Sequence, residues 1–280
     1  MPMFQLRALT PFARLETHMT DASAADSHGR FRWYELQTTD AAGAEAFYCT
    51  VVGWKAEHMG PQPGGYTTFN TDKGGVAGMM TLGAGEGPAR WLGYVVVDDV
   101  AAAAENIKAA GGRVRQPPTD VPGMLRFCGV SDPQGAAFVV FRGESSDGPP
   151  TGARGEAGHV GWRELMADDA PSAMAFYGEQ FGWRPTQGFD MGPAGTYQLW
   201  TDGGDGDVGG MMTRSHVAGG LPGPTWRYYV QVNGADAAVA RINAAGGKVV
   251  TGPQQVPSGD WVLEAVDPQG VTFHLTSTSR

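Results

Sequence analysis

Hydrophobic and polar residues alternate along short runs of the chain, and twice such a run leads into a stretch rich in alanine and aromatic residues. The first copy reads Trp33-Tyr34-Glu35-Leu36, a turn at Thr39-Asp40, Phe47-Tyr48 and Gly53-Trp54. The second reads Trp162-Arg163-Glu164-Leu165, Asp168-Asp169, Phe176-Tyr177 and Gly182-Trp183, each residue 129 positions further on without a gap. Such a match in pattern and spacing marks a tandem duplication. In each copy an Asp suited to capping a helix follows the strand-like run, and a Gly suited to a helix C-terminus closes the segment. The order is strand, helix, next strand. Side chains alternate along a strand, so Leu36 and Leu165 point one way while Trp33, Glu35, Trp162 and Glu164 point the other. The helix, with Phe47, Val51 and Phe176, buries its stripe on the leucine face. A Trp and a Glu then line a cavity on the opposite face.

Further strands are expected at 54–59, 66–71 and 76–82, with Pro/Gly turns between them. Trp91-Leu92-Gly93-Tyr94-Val95-Val96-Val97 forms a strand, and Asp98-Asp99 starts an alanine-rich helix ending at Gly111-Gly112. Shorter strands follow near 113–115, 125–130 and 136–141, the last two separated by Asp132-Pro133-Gln134-Gly135. One domain therefore reads βαβββ twice. The second domain repeats the plan, as Val208-Gly209-Gly210-Met211-Met212 and Asp267-Pro268-Gln269-Gly270 show. The class is α+β, with tandem duplicated domains that each pair two βαβββ modules into a curled mixed sheet around a cleft. Boundaries fall at 1–29 for a disordered extension, 30–143 for domain one, 144–157 for a Gly/Pro/Ser-rich linker and 158–278 for domain two.

A chain of 280 residues suits two domains of ordinary size. A net charge of −9 without a long basic run argues against nucleic acid or an anionic membrane as partner. No apolar run approaches a membrane span, and the first residues lack the basic-then-apolar order of a secretory signal. The two cysteines, Cys49 and Cys128, read as buried free thiols of a reducing compartment, so the cytoplasm is the expected location. Asp202, Asp205 and Asp207 fit an acidic hairpin turn better than a calcium loop. A monomer or a homodimer is expected.

The motif W-x-E-L…D…FY…GW, the strand-Asp-Asp-helix-Gly-Gly segment and the closing D-P-Q-G turn resemble the vicinal oxygen chelate superfamily of glyoxalases, extradiol dioxygenases and bleomycin-resistance proteins. Within it, the chain resembles a tandem-domain glyoxalase-like group. The resemblance implies a divalent metal held by His on the first strand, His or Gln on the fifth and Glu on the eighth. Those positions fall here near Trp33 and Trp162, near Leu92 and Arg227, and at Val139 and His274. Most of these cannot ligate a metal, so no metal and no cofactor is expected. A divalent ion on Glu164 and His274, with His159 approaching from the strand start, is the alternative. By alternation, the cleft of domain two presents Trp162, Glu164, Arg227, Tyr229, Gln231 and His274, and that of domain one Trp33, Glu35 and Tyr94 with Leu92, Val96 and Val139. Glu164 and His274 could form a proton-transfer pair, or Glu164 could simply pair with Arg227 beside a packed His. The expected activity is metal-independent binding of an aromatic or amphipathic small molecule; the alternative is a lyase or oxygenase using Glu164 and His274.

Overall fold

The structure is a computed structural model and describes residues 27–60, 65–83, 85–144, 155–214 and 223–280. The expected extension, apart from its last residues, and most of the expected linker lie outside the described residues.

Domain one runs β1 (Phe31–Thr38), α1 (Ala41–Val52), β2 (Lys55–Met59), β3 (Tyr66–Thr71), β4 (Gly74–Thr81), then β5 (Arg90–Val96), α2 (Val100–Ala109), β6 (Arg113–Val121), β7 (Leu125–Ser131) and β8 (Ala137–Gly143). Domain two repeats this with β9 (Val160–Ala167), α3 (Ala170–Phe181), β10 (Arg184–Asp190), β11 (Thr196–Thr201), β12 (Gly209–Thr213), β13 (Thr225–Gln231), α4 (Ala235–Ala244), β14 (Lys248–Gln255), β15 (Trp261–Val266) and β16 (Thr272–Ser277). Each domain forms one eight-stranded sheet, ordered β2-β3-β4-β1-β5-β8-β7-β6 and β10-β11-β12-β9-β13-β16-β15-β14. Both are the expected pair of modules, joined where β1 runs antiparallel to β5 and β9 to β13.

The capping signals act as expected in domain one, whereas Asp169 at the start of α3 caps no backbone amide with its side chain and accepts from the Ser172 hydroxyl. The Asp40 side chain accepts from the Gly43 amide, and Gly53 closes α1 in the left-handed region at φ 89°. Asp99 accepts from the amides of Ala101 and Ala102. Leu36 and Leu165 are fully buried on the helix side of their sheets, as the alternation requires.

The helices do more than cover their own sheets. The helix-side faces of both domains merge into one aromatic core, where Phe47 and Tyr48 of α1 meet Phe273 of β16 at ring distances of 5.5 and 5.4 Å. Phe138 meets Tyr177 in the mirrored place at 5.6 Å. The repeated motifs are the fastenings of this interface. Tyr48 donates to Asp267 of the distant D-P-Q-G turn at 3.0 Å, and Tyr177 donates to Asp132 of the other at 3.1 Å. The indoles of Trp54 and Trp183 donate across the interface to the carbonyls of Gly158 and Gly29, at 2.8 and 2.6 Å. No helix among the described residues is long and apolar enough to cross a membrane.

Candidate functional site

With the helix faces spent on each other, the opposite face of each sheet remains for chemistry. The same constellation stands on both. Trp33 Nε1 donates to the Tyr66 hydroxyl at 2.8 Å, and Glu35 accepts hydrogen bonds from Tyr94, Gln37 and Tyr66. In domain two, Trp162 Nε1 donates to the Tyr197 hydroxyl at 2.8 Å, and Glu164 accepts from Tyr229 at 3.0 Å and from Tyr197. Register explains the grouping, because Glu35 lies opposite Leu92 and Glu164 opposite Arg227 on the neighbouring strand. Tyr66 and Tyr197 were not anticipated from the sequence. Their signal was present in the glycines of β4 and β12: a Cβ at Gly78 would run into the Tyr66 phenol, and one at Gly210 into that of Tyr197. Each glycine is the floor on which a tyrosine lies.

Around this shared frame the two clefts diverge. In domain one, Leu92, Tyr94, Val96, Val139 and Phe141 pack into a cluster of their own, joined by Trp33, Leu125 and Phe127. Glu35 beneath it is 4% exposed, and burial pushes its carboxyl above the ordinary carboxylate range. Apolar side chains therefore crowd this cleft.

In domain two the equivalent places are polar. Arg227 stands between Glu164 and Glu264, with one guanidinium nitrogen 3.4 Å from each carboxylate. His274 Nε2 lies 3.1 Å from Glu264 Oε2. The hydrogen bond with His274 holds Glu264 below the ordinary range, and burial holds the imidazole below its own. Side-chain exposures of 13% for Glu164, 15% for Arg227 and 24% for Glu264 leave this cleft partly open to solvent. Glu264 is a third residue that strand reading missed; it sits opposite His274 on β15.

Of the anticipated residues, Trp162, Glu164, Arg227, Tyr229 and His274 gather here. The histidine contacts Glu264, while Glu164 accepts from the two phenols and the guanidinium. Gln231, 5% exposed, lies further along β13 beside Gly161. His159 pairs with Glu156 at 3.2 Å instead of entering the cleft. Among the described residues, no three His, Cys, Asp or Glu side chains are grouped to hold a metal ion. A cavity of about 10 Å³ at the domain interface, lined by Tyr34, Trp54, Trp91 and Tyr228 among others, has room for at most a single water and lies away from both clefts.

The sequence profile of the Glyoxalase/Bleomycin resistance protein/Dioxygenase superfamily matches residues 30–140 and again 157–275. Among curated proteins, CFP32 of Mycobacterium bovis, provisionally named a glyoxylase, is 33% identical over 253 residues, covering 88% of this chain and 94% of its own. The anthracycline biosynthesis protein DauV of Streptomyces sp. (strain C5) is 34% identical over 259 residues, covering 87% and 91%. Among solved structures, the Mn(II)-bound glyoxalase from Novosphingobium aromaticivorans aligns with a TM-score of 0.62 at 17% identity, over 91% of this chain and 83% of its own. The 2,2',3-trihydroxybiphenyl 1,2-dioxygenase of Sphingomonas wittichii strain RW1 aligns with a TM-score of 0.61 at 15% identity, over 90% and 91%. These structural likenesses speak to the fold, and the doubled profile match, with the two relatives, settles the kinship: the chain belongs to the glyoxalase/bleomycin resistance protein/dioxygenase superfamily, whose profile it matches once in each half.

Proposed function

We propose that the chain binds an aromatic or amphipathic small molecule in the cleft of domain two, and does so without a metal ion. One observation carries this reading. Where Glu164 and Glu264 converge, the Arg227 guanidinium lies 3.4 Å from each, so a cation of the protein's own already serves the two carboxylates. A divalent ion there would meet a fixed positive charge and only one neighbouring imidazole, a poor donor set for the metals this superfamily uses. The half-open cleft, walled by Trp162, Tyr197 and Tyr229, supports an aromatic guest. The name of DauV, from anthracycline biosynthesis, is in keeping with such a guest.

The test is a thermal-shift series on chelator-treated protein with the neutral probe N-phenyl-1-naphthylamine and with Mn(II). The probe should raise Tm equally with and without chelator, whereas Mn(II) should not raise it. A rise that requires Mn(II) would overturn the reading.

A second reading, an enzyme that moves a proton with Glu164 and His274, draws on the two residues sharing one cluster around Glu264 and Arg227. Glu164→Gln and His274→Ala separate the two. In a binding protein each should change affinity by about 1 to 3 kcal/mol, one hydrogen bond's worth. In an enzyme, turnover of a substrate should fall roughly a hundredfold while binding survives.

A further inference from the structure

The charged groups of the second cleft are incompletely used. Both contacts of Glu264, from His274 and Arg227, fall on Oε2, which leaves Oε1 without a protein partner among the described residues. The Arg227 guanidinium carries five N–H bonds; it bonds the Tyr229 hydroxyl and meets its two carboxylates at 3.4 Å, longer than a well-made charged hydrogen bond, so part of the fork is still unused. An open acceptor and a loosely engaged donor fork therefore stand side by side on a half-exposed surface.

We infer that this cleft recognises its ligand through adjacent hydroxyl groups on a saturated ring, a polyol of the sugar type attached to or forming part of the amphipathic guest. The inference rests on the binding reading above and specifies the polar half of the guest. An ammonium group could use Glu264 but would be repelled by the neighbouring guanidinium. A carboxylate could use Arg227 but would meet two carboxylates of its own sign. A hydroxyl donates one hydrogen bond and accepts others, so a pair of neighbouring hydroxyls can donate to Glu264 and accept from Arg227 at the same time. An aromatic wall on β9, separated from Glu264 by the Tyr229 and His274 positions in the register, suits the rest of such a guest. Trp162 is only half-buried, and its indole N–H is tied to Tyr197, which fixes the plane of an aromatic face against which the C–H side of a sugar ring can lie. The first cleft supplies the contrast: Leu92 occupies the place of Arg227, and Gly129 that of Glu264, opposite Val139 instead of His274.

Ligand-observed NMR titration of the full chain with four small probes tests this: phenyl β-D-glucopyranoside, anisole, benzylammonium and benzoate. The glucoside should bind roughly tenfold tighter than each of the others. Glu264→Gln and Arg227→Met should each bring glucoside affinity down to that of anisole measured on the same variant. If Arg227→Met fails to fold by circular dichroism, the isosteric Glu264→Gln decides alone. A glucoside no tighter than anisole, a charged probe that binds best, or a margin that survives Glu264→Gln would overturn the inference and leave the binding reading standing. Failure of all four probes to bind would overturn the inference and count against the binding reading as well.

Discussion

Glu35 and Glu164 hold the same place in the two copies, and their surroundings assign them different work. Glu35 lies under an apolar cluster, and burial raises its pKa above 4.5. The folded protein then holds this proton more tightly than the unfolded chain does, so the carboxyl favours folding at low pH and progressively opposes it as the pH rises. Glu35→Gln should therefore gain Tm relative to the native protein between pH 4.5 and 8, where a pH-independent gap would contradict the assignment. His274 has the opposite sign. Its pKa is held below 6.5 by burial, so its contribution is present above that value and is lost as the pH falls. His274→Gln should flatten the loss of stability below pH 6.5 that the native protein shows in the same thermal series. The alternation of side chains along β1 and β9 made Trp33, Glu35, Trp162 and Glu164 legible in the sequence as one face. Which carboxylate His274 meets was not legible, because Glu264 reaches it through the pairing of β15 with β16, a register that no local pattern specifies.

At the scale of elements, two glycines bring the cleft together. Gly210→Ala would place a methyl group where the Tyr197 ring lies, and Gly78→Ala would do the same to Tyr66. Each should cost about 1 to 3 kcal/mol in urea unfolding, the usual penalty of overpacking. Only Gly210→Ala should also weaken ligand binding, since Tyr197 orients Trp162 and bonds Glu164 in the open cleft. A Gly78→Ala protein that loses binding equally would argue against a single working cleft. Most strands and helices were readable from periodicity and capping, and β3 begins and ends where expected. β6 was expected near 113–115 but extends over Arg113–Val121, through Pro117 and Pro118. Such a pair would break a central strand; β6 is the edge of its sheet, where the outer side needs no amide, and its pairing with β7 shifts register between Gln116 and Thr119, across both prolines.

At the scale of the whole molecule, the duplication explains why the repeated motifs are so similar while the clefts are not. The Phe-Tyr, Gly-Trp and D-P-Q-G motifs hold the halves together about a pseudo-twofold axis, so both copies carry the same fastenings. On the axis itself the copies differ. Arg163 donates to the hydroxyl of Tyr34, its counterpart in the first copy, at 2.6 Å. Tyr228 fills the space left by Gly93, where a Cβ would come within 2.7 Å of the Tyr228 ring and 2.6 Å of Phe31. Sequence comparison exposed the repeat but could not tell that its aromatic residues face the other half, because a core shared between distant segments leaves the same pattern as a private one. A shared core predicts one cooperative calorimetric transition for both domains. Tyr48→Phe, which deprives the buried Asp267 of its phenol, should lower that single transition by about 1 to 3 kcal/mol without splitting it; two separate transitions would mean that the halves are independent.

The assignment of function to the second cleft, free of metal, is tested most directly by N-phenyl-1-naphthylamine fluorescence on chelator-treated protein, comparing the native chain with Trp33→Ala and Trp162→Ala. Binding should persist in the native chain and in Trp33→Ala, and weaken roughly tenfold or more in Trp162→Ala. Binding that appears only on adding Mn(II), or that fails in Trp33→Ala while surviving in Trp162→Ala, would contradict it.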